Sequence, residues 1–394
     1  MFFYDLLKYM PQILIIFAVI IAIAIASFGN FLNSGRNSSN QKTQNSSAQT
    51  EQQNSQNKGT AKTTKITKLH SSFSIDTLIK YGPLDKEIFN DTNVVLFEFG
   101  AKVSPPETKG QISYETKVEG LDKDWQPTNS TERTIELPKK VGEYAFSVRA
   151  KINDVIDPTP DKRTFTIYVS PHFKQVIISS VKPPTTLTPS LLSLSSQLNP
   201  QEKINITGWQ IKGKNGIFTI PQGAEKYDSL NPLSKEDIMI KAGDRIRVSG
   251  NPSPLGIGET NFRPNKCLGY LADSNNFTIP ILQNCPQPRT DRLPRYLSQN
   301  CQEYVKNRSS CESKPYEKLK QSGIFDDPNC LNYIESNFNY SSCFSAYSLD
   351  SDFASSEWHI YINRFGRGPE IMNEKNDTIY LLDKEGLPVD RFSY

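Results

Sequence analysis

The sequence is poor in the residues on which many hydrolytic and metal-dependent active sites rely. Only three histidines occur, at His70, His172 and His359, and no cysteine pair has C-x-x-C spacing. A zinc ribbon and a thioredoxin-like redox site both require that spacing. We therefore expect no enzyme activity, no catalytic residue, no cofactor and no metal site. We expect His359, the histidine closest in sequence to the cysteines, to be a surface residue.

Neither sign of charge is in excess. The chain has 45 basic and 42 acidic residues, a formal net charge of +3. A dedicated nucleic-acid-binding protein concentrates positive charge on one face, so this balance argues against that class. The stretch "QPRTDRLPRY" at Gln287–Tyr296 holds three arginines but is short and broken by prolines. We interpret it as a solvated loop.

Charge is absent altogether from Met10–Leu32. A helix of about 20 apolar residues crosses the roughly 30 Å hydrocarbon core of a membrane. After a short N-terminal segment, residues 1–9, we therefore predict a single-pass transmembrane anchor at residues 10–32. The alternative is a cleaved signal peptide with "AIA" at Ala24–Ala26 as its cleavage site, which would make the protein secreted.

Aromatic residues are missing from Asn33–Lys65, and aliphatic residues are almost missing. A segment of this composition cannot bury a hydrophobic core. We predict that residues 33–70 form a disordered polar linker. Such a linker would hold the rest of the chain away from the membrane.

Short segments rich in β-branched and aromatic residues begin at about Phe73, and Pro, Gly, Asn or Asp separate them. This pattern is typical of an all-β sandwich. It is clearest in Gly142–Ile152, where every second residue from Tyr144 onwards is apolar. Alternate residues of a strand share one face, so this face is predicted to be buried. Residues 71–172 are predicted to form the first β-sandwich.

The residues "YETKVEGLDKDWQPT" and, a little further on, "RTIELPKKVGEYAFSVRAK" resemble the immunoglobulin-like Y-Y-Y module. That module occurs beside propellers in some bacterial two-component sensors and in other envelope proteins. The similarity covers about Asn93 to Val169 and implies an immunoglobulin-like or fibronectin-like sandwich. Trp125 and Tyr144 are expected to pack its core. No kinase or propeller sequence is present, so the resemblance does not imply a sensor function.

A second β pattern fills residues 173–394 and is interrupted once. "INITGWQI", "FTIP" and "AGDRIRV" precede the interruption, and "EWHIYINR" and "DTIYLLDKEGLPVDRFSY" follow it. These pieces resemble the lamin tail domain, an immunoglobulin-like sandwich found in nuclear lamins and in many secreted or anchored bacterial proteins. The resemblance implies a second sandwich, closed by a hairpin over "DKEG", with an insertion at residues 251–356 that a plain lamin tail lacks. Trp209 and Trp358 are expected in its core, and Asp383 and Asp390 in turn and edge positions.

The predicted fold is therefore mainly all-β. It consists of an N-terminal transmembrane helix and two immunoglobulin-like β-sandwiches, the second interrupted by a cysteine-rich, partly α-helical insertion. All the cysteines lie in that insertion, namely Cys267, Cys285, Cys301, Cys311, Cys330 and Cys343. An even number of cysteines beyond a membrane segment indicates three disulfide bonds in an oxidising compartment. For this reason we place the C-terminal domains outside the cytoplasm.

Two similar stretches, "CQEYVKNRSSC" and "CLNYIESNFNYSSC", predict two short helices within the insertion. We slightly favour an antiparallel pair joined by Cys301–Cys343 and Cys311–Cys330, with Cys267–Cys285 closing the preceding loop. The alternative pairs each stretch with itself, as Cys301–Cys311 and Cys330–Cys343. Sequence alone does not choose among the connectivities.

We expect the protein to act by binding, through the insertion, because recognition residues tend to lie on loops that a rigid scaffold holds. The candidate contact surface is aromatic: Tyr296, Tyr316, Phe338, Tyr340 and Phe344. Tyr304 and Tyr333 are expected to pack the insertion's own core instead. The preferred hypothesis is a non-enzymatic, envelope-anchored binding or structural protein with a protein or glycan ligand. An accessory or sensory partner of an envelope enzyme or signalling complex is the first alternative, and a nucleic-acid-binding surface protein the second.

Overall fold

A computed structural model of the chain describes residues 73–256, 260–272, 274–287, 293–312, 320–321 and 323–394. The predicted anchor and linker lie outside these residues. Within the described ranges, no helix is long and apolar enough to cross a membrane. The described part is mainly β, with few helices and three disulfide bonds.

The first sandwich contains nine strands. They are β1 (Ser74–Tyr81), β2 (Glu87–Phe89), β3 (Val94–Ser104), β4 (Ile112–Glu119), β5 (Gln126–Thr128), β6 (Glu132–Glu136), β7 (Gly142–Ile152), β8 (Val155–Ile156) and β9 (Asp161–Ile167). One sheet has the order β1–β3–β6, and the other has the order β2–β9–β7–β4–β5, with β8 paired to β7. Phe97 of β3 and Phe146 of β7 stack across the two sheets with ring centroids 4.0 Å apart. The apolar face predicted for β7 is confirmed as buried.

Trp125 lies outside this core, so the prediction that it packs the sandwich is wrong. It is half-buried and just precedes β5. The guanidinium group of Arg149 lies 4.2 Å from its ring centroid and also pairs with Glu115 at 2.6 Å. Arg149 and Glu115 alternate with the buried residues of β7 and β4, so they lie on the outer face of the sheet. Tyr144, by contrast, is buried as predicted.

The second sandwich begins directly after the first. Before the insertion, its strands are β10 (Val176–Lys182), β11 (Leu191–Ser196), β12 (Lys203–Asn205), β13 (Gln210–Gly213), β14 (Gly216–Thr219), β15 (Gly223–Ala224), β16 (Met239–Lys241) and β17 (Arg245–Ser249). β18 (Asn261–Phe262) lies within the insertion, and β19 (Glu357–Tyr361), β20 (Thr378–Leu382) and β21 (Pro388–Ser393) follow. The hairpin predicted over "DKEG" is confirmed as β20–β21, and β13 and β14 form a second hairpin.

Two sheets enclose the core of the second sandwich. Their orders are β10–β11–β17–β19–β18–β15 and β14–β13–β20–β21, and β12 pairs separately with β16. Trp209 and Trp358 are both in the core, 2% and 0% exposed, as predicted. Val389 of β21 is also fully buried. β21 therefore completes a core that also contains residues far upstream, such as Val176 and Leu192.

The insertion connects β17 to β19, which are neighbouring parallel strands of the six-stranded sheet. β17 pairs with β19 in parallel, from Arg245↔Glu357 to Ser249↔Tyr361. A parallel pair requires a crossover that runs over one face of the sheet. Here the crossover carries its own hydrophobic core, which includes Phe262 and Tyr361 from the outer face of the sheet. The six-stranded sheet is thus covered on both faces.

The described part of the insertion includes three α-helices and one 3-10 helix: the 3-10 helix Leu268–Leu271, α1 (Gln299–Lys306), α2 (Pro328–Asn337) and α3 (Tyr340–Tyr347). The second cysteine stretch forms two helices rather than one. The chain turns at Phe338, and the Oδ1 atom of Asn339 then caps α3 by accepting a hydrogen bond from the Ser342 backbone N–H at 2.8 Å. Asparagine is a favoured residue at such a cap.

The disulfide bonds are Cys267–Cys343, Cys285–Cys311 and Cys301–Cys330. Three bonds are present as predicted, but neither pairing scheme considered above is correct. The break before α3 gives Cys343 a different direction from Cys330, and Cys343 reaches the residue before the 3-10 helix. Cys311 lies beyond α1 with a positive φ of 62°. Only one bond, Cys301–Cys330, joins the two cysteine stretches.

The last strand also connects the two sandwiches. The Asp390 carboxylate accepts hydrogen bonds from the Lys174 ammonium group and from the Ile178 backbone N–H, the latter at 2.7 Å. The carbonyl oxygens of Pro388 and Val389 accept from the backbone N–H groups of Ser170 and Lys174. Asp390 is on an edge strand as predicted, but it is 5% exposed and fixes the segment between the domains.

Candidate functional site

Three of the predicted contact residues are buried or half-buried and so do not form an exposed surface. Phe338 is 1% exposed, and its ring packs 4.4 Å from the Arg308 guanidinium group. Tyr340 is 4% exposed, and its hydroxyl donates to the Tyr227 carbonyl at 2.6 Å. Phe344 is half-buried against Phe353, with ring centroids 5.5 Å apart. These rings pack the insertion's own core, together with apolar side chains such as Leu268 and Ile334.

Two predicted contact residues remain. Tyr296 is 64% exposed just before α1, and its role as a contact residue stays a prediction. Tyr316 lies outside the described residues. All six cysteines are buried in disulfide bonds and none is free. The described residues also contain no cluster of three or more His, Cys, Asp or Glu side chains that could hold a metal ion.

Two clefts in the insertion were not predicted. The first, which we call the His359 cleft, has a volume of about 520 Å³. It is lined by the Pro280–Asn284 segment, by Phe353, and by Lys266, Asp352, Glu357 and His359. It lies where the insertion meets the start of β19.

His359 is 1% exposed, so the expectation of a surface histidine is wrong. On β19 it alternates with Trp358 and Ile360, and it faces the insertion rather than the sandwich core. Its Nε2 atom lies 2.8 Å from Oε1 of Glu357. A carboxylate only accepts hydrogen bonds, so Nε2 carries the proton and donates it. No partner for Nδ1 is found among the described residues.

Glu357 is one of the charged side chains that line the His359 cleft. The hydrogen bond from His359, together with the Arg247 guanidinium group at 3.4 Å, keeps the Glu357 pKa below its ordinary value of about 4.5. Burial acts in the opposite direction, because it disfavours the charged form. Glu357 is therefore ionised at neutral pH and anchors the start of β19 to β17.

We expect Glu357→Gln to lower the free energy of unfolding by about 1 kcal/mol near neutral pH, a value reduced for partial exposure. The folded pKa is lower than the unfolded one, so this stabilisation is present above about pH 4.5 and is lost as the pH falls through the folded pKa. Thermal midpoints of wild type and variant should therefore converge in acid. Glu374→Gln, at an exposed glutamate, is the control. A constant difference between wild type and Glu357→Gln at all pH values would contradict this account.

The second cleft, the tyrosine cleft, has a volume of about 600 Å³. Its walls carry Tyr270 from the 3-10 helix, Tyr333 and Asn337 from α2, and Ser342 and Tyr347 from α3. Side chains four residues apart on a helix share a face, so Tyr333 and Asn337 line one wall together. Pro286, Cys343, Ala346 and Asp350 complete the lining. Burial raises the pKa of both Tyr270 and Tyr333, so their hydroxyl groups are protonated at neutral pH.

The two clefts are neighbours. The ammonium group of Lys266, in the wall of the His359 cleft, pairs at 2.7 Å with Asp350 of the tyrosine cleft and at 2.7 Å with Asp352. The segment from Pro280 to Pro286 contributes to both clefts. This segment has no regular secondary structure. It is held by the Cys285–Cys311 bond and by the Tyr347 hydroxyl, which donates to the Gln287 carbonyl at 2.9 Å.

Comparison with known proteins identifies part of the first sandwich. A sequence model of the Y_Y_Y domain matches residues 107–170, in agreement with the resemblance noted above. No curated protein matches the chain.

Three solved structures share local similarity with the chain. The extracellular domain of the putative one-component system BT4673 from B. thetaiotaomicron is 16% identical over 24% of this chain and 15% of that chain, with a TM-score of 0.19. The extracellular domain of the putative hybrid two-component system BT3049 from B. thetaiotaomicron is 23% identical over 23% of this chain and 12% of that chain, with a TM-score of 0.18. The FN1–FN3 domains of chicken CNTN1 are 11% identical over 41% of this chain and 55% of that chain, with a TM-score of 0.20. The chain thus spans less than two thirds of each of these structures.

Proposed function

We propose that this chain is a non-enzymatic binding protein of the cell envelope. In this proposal residues 10–32 anchor it to the membrane, and the domains that follow the linker stand outside the cytoplasm. The observation that carries the proposal is the pairing of all six cysteines in three disulfide bonds within one insertion. Disulfide bonds of this kind persist in oxidising compartments. The Y_Y_Y match also supports it, because this module occurs in envelope proteins.

We further propose that the second sandwich is related to the lamin tail domain and serves as the scaffold for binding. Three features support this relation: the buried Trp209 after β12, the closing β20–β21 hairpin, and a core shared by strands far apart in sequence. The clefts lie in the insertion, which that scaffold holds through β18 and β19. Binding is therefore assigned to the insertion, and the first sandwich and the linker act as spacers.

Protease treatment of intact cells tests the location. For a chain with a C-terminal epitope, we expect the epitope to be lost without lysis, after permeabilisation of an outer membrane if the cells have one. A cytoplasmic protein of the same cells serves as the control and should stay intact. An epitope that is protected until the cells are lysed would contradict the proposed location. Release of soluble fragments from isolated envelope polymers by the purified full chain would contradict the non-enzymatic part.

A further inference from the structure

We infer that the tyrosine cleft binds an uncharged oligosaccharide. This inference rests on the proposed function, since it names the class of ligand for a binding protein of the envelope. The volume of about 600 Å³ is within the range of about 300–1,000 Å³ that is usual for small-ligand sites. The cleft is open at half-buried residues of α2 and α3, so a ligand reaches it from the surface of the insertion.

The lining suits a sugar because it alternates aromatic rings with hydrogen-bonding groups. Tyr270, Tyr333 and Tyr347 come from three different elements and surround one space. A pyranose ring has an apolar C–H face that packs on an aromatic ring, and its hydroxyl groups require donors and acceptors at its edge. Tyrosine offers both an apolar ring and a polar hydroxyl. Asn337 and Ser342 lie in the same walls. The Asn337 amide donates to the Tyr333 carbonyl at 2.8 Å, and the Ser342 hydroxyl donates to the Ser336 carbonyl at 2.5 Å. Their side-chain oxygen atoms are therefore the groups that can accept from a sugar hydroxyl.

The charges near the cleft give an acidic sugar no advantage over an uncharged one. Among the described residues, Asp350 is the one carboxylate in the lining. Lys266 pairs with Asp350, and the buried Arg308 guanidinium group acts electrostatically on Tyr270 of the cleft. Lys266 is shared between Asp350 and Asp352, so two carboxylates stand against one ammonium group. Its ammonium group also lies over the Tyr347 ring, 5.4 Å from the ring centroid. With Arg308 as the second cation, the cleft has no excess positive charge to hold a uronate, a sulfated sugar or a nucleic acid, so charge does not select for an acidic ligand.

The walls of the cleft are fixed before any ligand arrives. Cys343 of α3 is itself in the lining, and its bond to Cys267 ties α3 to the start of the 3-10 helix that carries Tyr270. Pro286 follows Cys285, which is bonded to Cys311. A site held in its binding conformation loses little conformational entropy when it binds. The disulfide bonds therefore favour recognition as well as stability.

The test uses the detergent-solubilised full chain with named neutral hexasaccharides: cellohexaose, laminarihexaose, maltohexaose and chitohexaose. Saturation-transfer NMR and calorimetry should show binding of at least one of them, and hexagalacturonate should bind more weakly. Tyr333→Ala should weaken that binding about tenfold because it removes one ring contact, while Tyr333→Phe should retain most of it. Tyr81→Ala, at an exposed ring of the first sandwich, should change nothing.

Ala346→Trp is a second variant that does not remove any packing. Ala346 is exposed on α3 and lines the cleft, so a larger side chain should fill the space and block binding with little effect on folding. The thermal midpoint and an absence of free thiols check the fold of every variant. The inference is overturned if no neutral hexasaccharide binds, if hexagalacturonate binds most tightly, or if Ala346→Trp binds as the wild type does. If the saccharide-binding test fails but protease still cleaves the C-terminal epitope on intact cells, this inference is overturned and the proposed function is not.

Discussion

Reduction of the three disulfide bonds is expected to unfold the insertion while the first sandwich stays folded. Each bond closes a loop in the unfolded chain and contributes about 2–4 kcal/mol, more for longer loops. The cysteines of Cys267–Cys343 are 76 residues apart, against 26 and 29 for the other two pairs. Residues 73–173, which hold the core of the first sandwich, contain no cysteine. The loss of stability should therefore be confined to the C-terminal part.

Limited proteolysis checks this result. After reduction and alkylation, cleavage should extend into α1, α2 and α3, whereas the oxidised chain should resist cleavage within these helices. Among the paired Cys→Ser variants, loss of Cys267 and Cys343 together should lower the thermal midpoint most. Loss of Cys285 and Cys311 should loosen the Pro280–Pro286 wall of both clefts. Identical cleavage patterns before and after reduction would contradict this role of the bonds.

Deletion of residues 387–394 is expected to destabilise the second sandwich by at least about 3 kcal/mol. Burial of a valine alone contributes about 1.5–3 kcal/mol, and the strand also supplies backbone hydrogen bonds to β20. The deletion removes the fully buried Val389 and leaves the edge of β20 unpaired, which favours aggregation. It also removes Asp390, and with it the contact to Lys174 in the segment between the sandwiches and the hydrogen bond from the Ile178 backbone N–H of β10.

Arg391→Ala is the matched control on the same strand. Arg391 pairs with Asp91 of the first sandwich, but both side chains are partly exposed, and such pairs contribute about 0–1 kcal/mol. Differential scanning calorimetry should show a small shift for this variant and a large one for the deletion. If the shortened chain keeps the thermal midpoint of the full chain, β21 is not part of the core.

The two sandwiches were predictable because the residues that specify each strand and each turn lie close together in the sequence. The alternation from Tyr144 to Ile152 specifies a strand with one buried face, and each hairpin has its turn residues between its strands. The apolar neighbours of Trp209 and Trp358 likewise placed both indoles correctly in the core. Trp125 was misplaced because strand alternation stops before it. In the structure Arg149, from a different strand, covers its ring.

The clefts and the disulfide connectivity were not predictable, because they depend on contacts between residues far apart in sequence. The two cysteine stretches look alike, but one asparagine cap, at Asn339, divides the second into two helices and redirects Cys343. Lys266 and Asp350 are separated by 84 residues, and no spacing rule joins them. The local sequence around Phe338 and Tyr340 does not distinguish them from exposed aromatic residues. Their burial follows from the crossover, which leaves the outer face of the sheet to be covered.

The most direct test of the account is the disulfide map of the full chain isolated from its own membranes. Proteolysis without reduction, followed by mass spectrometry, should yield three linked peptide pairs, joining Cys267 to Cys343, Cys285 to Cys311 and Cys301 to Cys330. Alkylation before proteolysis should label none of these cysteines. This result would agree both with the arrangement of the clefts and with a location outside the cytoplasm. Labelled free thiols, or linked peptides that join Cys301 to Cys343, would contradict it.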